Sequence, residues 1–180
     1  MDANIVLITG MRQVGKSTAL RSAVTQLRDD GIRVSGLLTE RTGPHDLSVT
    51  ELHTGSRYLL TEPFKDEPGS LTRHFTMNDA ALARSGRALV DAFPTQVFAL
   101  DELGLLELKH GRGWVDALDL LAREHYRLAL VVVRPELLGD AVMQMDALCF
   151  TVVRVTPTNR QEIPAFLIEQ VFTSMERETR

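Results

Sequence analysis

The chain has 180 residues, of which 44% are hydrophobic and 24% charged, and its formal net charge is -4. This composition predicts a single globular domain over residues 1–180, and it excludes a disordered chain or a basic protein that coats nucleic acid. The single cysteine, Cys149, excludes a disulfide framework and predicts a cytoplasmic setting. The N-terminus lacks a basic segment and no apolar run approaches about 18 residues, so neither export nor a membrane span is expected.

The first predicted strand covers residues 4–9, NIVLIT, a short apolar run rich in β-branched residues. Such a run is typical of a strand that is buried on both faces. A helix is predicted over residues 16–28, because apolar residues recur there at spacings of three and four. The segment GMRQVGKST, residues 10–18, joins these two elements.

This joining segment fits the phosphate-binding pattern G-x-x-x-x-G-K-S/T. Gly10 and Gly15 allow backbone angles closed to other residues, so that successive amide groups turn toward phosphate oxygens, and the helix N-terminus adds partial positive charge. Lys16 is predicted to reach the β- and γ-phosphates as a catalytic residue, and Ser17 to bind Mg²⁺. The candidate nucleotide-binding residues here are Gly10, Met11, Arg12, Gln13, Val14, Gly15, Lys16, Ser17 and Thr18.

Short strands are predicted next, over residues 33–39, 47–52 and 57–61, with the last two paired as a hairpin. Residues 62–72 contain two prolines and a glycine, which predicts a surface loop. The sequence TMND then matches a capping box, so we expect a helix that starts at Thr76 and runs to about Ala92.

The rest of the chain alternates apolar strands with amphipathic helices. The predicted strands cover residues 96–100, 128–133 and 150–155, and the predicted helices cover residues 114–125, 135–145 and 161–173. This alternation predicts a three-layer α/β fold, with a mostly parallel sheet, helices on both faces and an antiparallel hairpin at residues 46–61.

Two adjacent acids, Asp101 and Glu102, follow the strand predicted at residues 96–100. A protein with a phosphate-binding loop needs a carboxylate at the carboxyl end of a neighbouring strand to help hold Mg²⁺, and Asp101 is the candidate. Side chains alternate along an extended chain, so Glu102 points elsewhere and is the candidate base that orients or deprotonates water. The competing interpretation is that both acids are hydrated residues of a turn.

Four further residues allow two interpretations each. Asn159 and Arg160 follow the strand at residues 150–155 and would flank the base or ribose, or Asn159 would instead cap the last helix. Arg134 ends another buried strand and either contacts the γ-phosphate or is solvated. Trp114 is expected to pack in the core rather than to stack on a base.

Three stretches resemble the THEP1-like nucleoside-triphosphatase family. They are ITGMRQVGKST, LDELGLLEL, which is similar to the family's D-E-I-G-x-M-E-L, and VTPTNRQEIP. The resemblance runs in order from about residue 5 to residue 172. It implies a P-loop NTPase fold of the RecA-like (ASCE) branch and slow, Mg²⁺-dependent hydrolysis of several nucleoside triphosphates. Lys16, Ser17, Asp101 and Glu102 stand at the matching motif positions.

The chain departs from this family at two places. Gln13 stands where the family usually has glycine, which predicts a different loop curvature and a weaker grip on the phosphates. The segment GLLTERTG, residues 36–43, is a shortened version of the family's G-F-x-T-x-E-x-R and lacks its second arginine. Any substrate contact made by this segment therefore stays open.

The function expected from these residues is hydrolysis of nucleoside 5′-triphosphates to diphosphate and phosphate, with Mg²⁺ as cofactor. One alternative is a nucleotide or nucleoside kinase, although the loop at residues 62–72 offers only Lys65 where such enzymes have an arginine-rich lid. Another is a nucleotide-bound switch or accessory protein with little turnover of its own. No nucleic-acid or membrane partner is indicated, a protein partner stays open, and the preferred base is not predicted.

Overall fold

The protein is described here from a computed structural model that covers residues 4–62, 76–123, 125–145 and 148–176. The strands are β1 (Ile5–Thr9), β2 (Val34–Arg41), β3 (Leu47–Glu51), β4 (Arg57–Leu59), β5 (Val97–Leu103), β6 (Leu128–Val133) and β7 (Phe150–Arg154). The α-helices are α1 (Lys16–Asp29), α2 (Asp79–Asp91), α3 (Leu105–His110), α4 (Asp116–Arg123), α5 (Leu138–Gln144) and α6 (Ile163–Glu176). A 3-10 turn, Pro135–Leu137, precedes α5. The loop predicted at residues 62–72, including Lys65, lies outside the described residues apart from Glu62.

The strands form one seven-stranded sheet in the order β4-β3-β2-β5-β6-β1-β7. Strands β2, β5, β6, β1 and β7 are parallel to one another. Strands β3 and β4 form the predicted antiparallel hairpin at one edge. The carboxyl ends of the parallel strands therefore meet at one side of the sheet. That side carries the loop after β1, the two acids of β5 and the arginine after β6.

Alternate residues of each central strand pack on opposite faces of the sheet. In β1, Ile5 and Leu7 belong to a core that also includes residues of α2, α3, α4 and α5, whereas Val6 and Ile8 belong to a core that includes residues of α1 and α6. Burial of both faces explains why these strands are continuous apolar runs. The predicted three-layer architecture is confirmed. Among the described residues, no helix has the length and apolar character needed to cross a membrane.

Two local predictions were wrong, and one short helix was missed. Helix α2 begins at Asp79 rather than at Thr76, because Asn78 is the N-cap and its side chain accepts a hydrogen bond of 2.8 Å from the amide of Ala81. Strand β5 does not end at residue 100 but continues to Leu103, where it pairs again with β6 after a register shift. Helix α3 was not predicted, since its six residues are too few to show a helical period.

A buried carboxylate joins the antiparallel hairpin to helix α2. Glu51, 4% exposed, accepts hydrogen bonds from the hydroxyls of Thr54 and Tyr58, both at 2.7 Å, and from Arg84 Nε at 3.2 Å. Burial by itself raises the pKa of Glu51, but these hydrogen bonds and the charge of Arg84 outweigh it, so that the pKa lies below its ordinary value. The ionised carboxylate therefore stabilises the fold.

We expect Glu51→Ala to lower the free energy of unfolding by about 1–2 kcal/mol at pH 7, because the partly exposed side chains of Thr54, Tyr58 and Arg84 lose their shared acceptor. The lowered pKa also fixes the sign of the pH dependence. The contribution is complete above the ordinary value of 4.5 and is lost as the pH falls through the folded-state value below it. Urea unfolding at pH 7 and pH 3 measures both effects. Equal unfolding midpoints for the variant and the natural chain at pH 7 would contradict this prediction.

Candidate active site

The loop between β1 and α1 has the backbone that its glycines were expected to allow. Gly10 and Gly15 have φ angles of 147° and 112°, and a Cβ at Gly10 would collide with the carbonyl oxygen of Val155. Gln13, at the position where a glycine was expected, has a φ of 61°, the left-handed region that glycine enters most easily. Val14 is buried in the core and Met11 is 71% exposed. The loop is thus held at its base and open to solvent at its tip.

Lys16, the first residue of α1, lies beneath this loop and is 7% exposed. Its Nζ donates hydrogen bonds to the carbonyl oxygens of Gly10, at 2.7 Å, and Met11, at 3.0 Å. Burial lowers the pKa of this ammonium group and Arg134 acts in the same direction, while the carboxylates of Glu102 and Asp101 oppose them. The cation thus lies among charges that come from β5 and from the residue after β6.

Asp101 faces Ser17 across the carboxyl side of the sheet. Ser17 Oγ donates a hydrogen bond of 3.0 Å to Asp101 Oδ1, and the carboxylate is only 1% exposed. Its other oxygen, Oδ2, is buried and has no hydrogen-bond partner among the described residues. Burial raises the pKa of Asp101 to about 7, with Glu102 acting in the same direction and the bond from Ser17 against it.

A hard cation would give the buried Oδ2 of Asp101 the partner that it lacks. Mg²⁺ prefers oxygen ligands and takes one or two from the protein, with phosphate and water supplying the others. Ser17 Oγ and the unpartnered Asp101 Oδ2 are oxygens of that kind. The donor set therefore fits the cation, and the orphaned buried oxygen is the feature that needs it.

Glu102 lies in the register shift between β5 and β6 and is partly buried. A bulge of this kind re-aims a side chain at the end of a strand. The Glu102 carboxylate accepts a hydrogen bond from Arg134 Nε, 2.5 Å away, and both residues line the same cavity as Lys16. Neither residue is therefore simply hydrated at the surface, although the arginine side chain is 54% exposed.

The cavity at this side of the sheet has a volume of about 640 Å³. Its charged end is lined by Arg12, Lys16, Ser17, Glu102 and Arg134, together with the exposed side chains of Gln13 and Thr18. Its apolar lining residues include Leu47, Leu60, Met77 and Leu82. A triphosphate matches the charged end in its chemistry.

The residues after β7 lie beside the loop but are not among the described residues that line the cavity. Asn159 bonds within its own turn, since it accepts from the amide of Thr156 at 2.8 Å and donates to the carbonyl of Arg154 at 3.0 Å. It does not cap α6, which begins four residues later at Ile163. The Cδ of Arg160 would lie 3.8 Å from a Cβ built at Gly15, so this side chain covers one side of the loop.

Trp114 packs as expected from the sequence. It is 4% exposed, and its Nε1 donates a hydrogen bond of 2.8 Å to Ser85 Oγ. A tryptophan whose indole nitrogen has an internal partner is a core residue. Its ring nevertheless lines part of the cavity.

Sequence reasoning missed a cluster of charges beside the loop. Glu40 accepts from Arg21 at 2.8 Å and from Arg57 at 2.5 Å, and Arg21 also donates to the carbonyl of Thr39. Thr39, Glu40 and Arg41 all line the cavity, which places the segment at residues 36–43 beside the site. A signal for these contacts was present only in the resemblance of that segment to the family's pattern.

Comparisons with known proteins give a consistent result. A family model described as "NTPase" matches residues 5–168. A nucleoside-triphosphatase THEP1 of Pyrococcus abyssi is 27% identical over 172 residues, which cover 91% of this chain and 90% of that protein. The crystal structure of THEP1 from Aquifex aeolicus superposes with a TM-score of 0.63 at 19% identity, and the match covers 93% of this chain and 98% of that one. The last comparison confirms the fold that the motifs predicted.

Proposed function

The chain belongs to the NTPase family, and on that premise we propose that it is a Mg²⁺-dependent nucleoside 5′-triphosphatase with a broad base preference and slow turnover. Its products are the nucleoside diphosphate and inorganic phosphate. The observation that carries this proposal is the buried Asp101 carboxylate, which is bonded to Ser17 through one oxygen and left without a partner at the other.

The residues of the charged end divide the work of the reaction. The amides of the loop and the Lys16 ammonium bind the β- and γ-phosphates. Ser17 and Asp101 would hold Mg²⁺, which would neutralise charge on the phosphate oxygens. Glu102 accepts a proton from the attacking water as the water oxygen bonds to the γ-phosphorus and the bond to the β–γ bridging oxygen breaks.

A broad base preference is supported by the turn after β7, which contains the candidate base-contacting residues. The amide group of Asn159 is engaged within that turn, and the hydroxyls of Thr156 and Thr158 bond to each other at 2.9 Å. Side chains satisfied in this way offer a base few unpaired groups that would reject the wrong one. Arg160 remains a candidate for a contact with the base or ribose that does not depend on the identity of the base.

The setting we propose is the cytoplasm, which a single free cysteine supports. A net charge of -4 does not favour nucleic acid as a partner. Nucleoside triphosphates are therefore the partners that the charged end of the cavity supports.

Initial rates of phosphate release from ATP, GTP, CTP and UTP test this function. We expect release from all four nucleotides with Mg²⁺, at rates within about tenfold of one another. That spread corresponds to a difference of about 1.4 kcal/mol in activation free energy. Release should fall to background with excess EDTA. Rapid hydrolysis of one nucleotide alone, or activity that survives EDTA, would contradict the proposal. Binding without release would instead favour the kinase or switch alternative.

A further inference from the structure

Arg134 and Glu102 form an ion pair between neighbouring strands of the site. The Nε of Arg134, which directly follows β6, lies 2.5 Å from Glu102 Oε1 on β5. Since β6 lies between β1 and β5 in the sheet, Arg134 is placed between the phosphate-binding loop and the candidate base. Lys16, Glu102 and Arg134 all line the charged end of the cavity.

We propose that Arg134 exchanges partners, holding the Glu102 carboxylate until a γ-phosphate binds and then turning to the oxygens of that phosphate. Glu102 is thereby released to the attacking water only when a triphosphate is present. This inference rests on the proposed function, because it assigns Glu102 as the base and the charged end of the cavity as the phosphate site.

The energetics of the pair favour such an exchange. The side chains of Arg134 and Glu102 are 54% and 25% exposed, and ion pairs with this much solvent access contribute little. A γ-phosphate presents more negative charge than a carboxylate and several oxygens that match the guanidinium fork. A phosphate bound beside Lys16 would therefore compete well for the same arginine.

The exchange also matters for catalysis. A carboxylate oxygen that accepts a hydrogen bond from a guanidinium is less able to take a proton from water. The release of Glu102 therefore requires another anion that the guanidinium can bind. A diphosphate would lack that anion and leave the pair in place.

Equilibrium binding isolates this exchange from chemistry. The probes are the diphosphate ADP and the slowly hydrolysed analogue adenylyl imidodiphosphate, each titrated with Mg²⁺ into the natural chain, Glu102→Gln, Arg134→Ala and the double variant. Glu102→Gln removes the competing carboxylate charge. We expect it to tighten the analogue relative to ADP by about two- to fivefold, the scale of one partly exposed ion pair. The double variant should bind the analogue no more tightly than Arg134→Ala does.

Turnover provides the second readout. Arg134→Ala is expected to lower kcat by about tenfold or more while ADP affinity stays the same, and Arg134→Lys should restore part of the loss because a cation is retained. Arg112→Ala is the matched control. Its ion pair with Asp79 joins two exposed side chains and does not line the cavity, so kcat should not change.

Two results would overturn the proposal. The gain in analogue affinity from Glu102→Gln could be equal in the natural chain and in Arg134→Ala. That result would mean that Glu102 acts on the phosphate only through its own charge. An unchanged kcat in Arg134→Ala would remove the arginine from the mechanism. If the natural chain releases no phosphate at all, the proposed function fails, but the binding experiment still reports whether Arg134 exchanges partners.

Discussion

Glu102→Gln is expected to lower the rate of phosphate release by about 100- to 1000-fold, since general-base catalysis contributes effects of that size. Glutamine keeps the volume and a hydrogen-bond acceptor but cannot take a proton from water. Triphosphate binding should be retained, because the loop and Lys16 are untouched. Single-turnover phosphate release, measured beside nucleotide binding on the same samples, separates the two steps.

The matched control for this prediction is Glu136→Gln. Glu136 is exposed and lines the same cavity. It lies in the 3-10 turn after β6, and among the described hydrogen bonds it has none to Asp101 or Ser17. Its replacement should cost far less activity than that of Glu102. Phosphate release by Glu102→Gln at the rate of the natural chain would remove this glutamate from the role of base.

Asp101→Asn is expected to change activity and stability in opposite directions. The variant loses a negatively charged ligand for Mg²⁺, so release should fall by about 100-fold or more at ordinary Mg²⁺ concentrations. It should nevertheless unfold at a higher temperature in metal-free buffer, because the buried charge costs folding free energy. Active sites commonly trade stability for function in this way.

The sign of the stability effect follows from the raised pKa. The folded-state pKa of Asp101 is about 7 and its ordinary value is 3.8, so between these values the folded chain keeps a proton that the unfolded chain has lost. The stability of the natural chain should therefore fall as the pH rises through this window. One pKa unit corresponds to about 1.4 kcal/mol, which is a shift of about 3–5 °C in Tm for a chain of this size.

Thermal unfolding at pH 4 and pH 8, with EDTA present, tests this prediction. The natural chain and Asp101→Asn should be similar at pH 4, where the carboxyl is neutral, and the variant should be the more stable of the two at pH 8. A variant that is less stable at pH 8, or one that hydrolyses nucleotides like the natural chain, would contradict the role given to Asp101.

The sequence predicts those features of this protein that depend on contiguous residues. NIVLIT and LALVVV are recognisable as strands buried on both faces because neither contains a charged residue, and the structure places neither at an edge of the sheet. The loop at residues 10–18 is equally local, since its glycines, lysine and serine must stand at fixed spacings between one strand and one helix. Gly10 and Gly15 have the positive φ angles that the pattern predicts.

Contacts between distant residues could not be predicted in the same way. Arg134 and Glu102 are 32 residues apart, and Arg21 and Glu40 are 19 apart. Whether they meet depends on the order of strands in the sheet and on the register shift in β5, which periodicity does not report. That each member of the first pair ends a buried strand was readable from the chain, but the adjacency of those two strands was not.

The position of the acids shows how far local reasoning extends. Asp101 was expected beside Ser17 because both were assigned to one metal, and the hydrogen bond between them is present at 3.0 Å. The sequence did not predict that Asp101 would be almost fully buried, or that one of its oxygens would be left without a partner. Burial of this kind depends on residues far away in the chain, such as Ser17 of α1, which no pattern around Asp101 describes.

Hydrolysis of ATP in water enriched in ¹⁸O tests the central claim most directly, since it reports which bond forms. If water activated by Glu102 attacks the γ-phosphorus, mass spectrometry will find at least one ¹⁸O atom in each inorganic phosphate released and none in the ADP. Label in the ADP, release of pyrophosphate, or tight binding of Mg²⁺–ATP with no phosphate formed would contradict the account of this site as a triphosphatase.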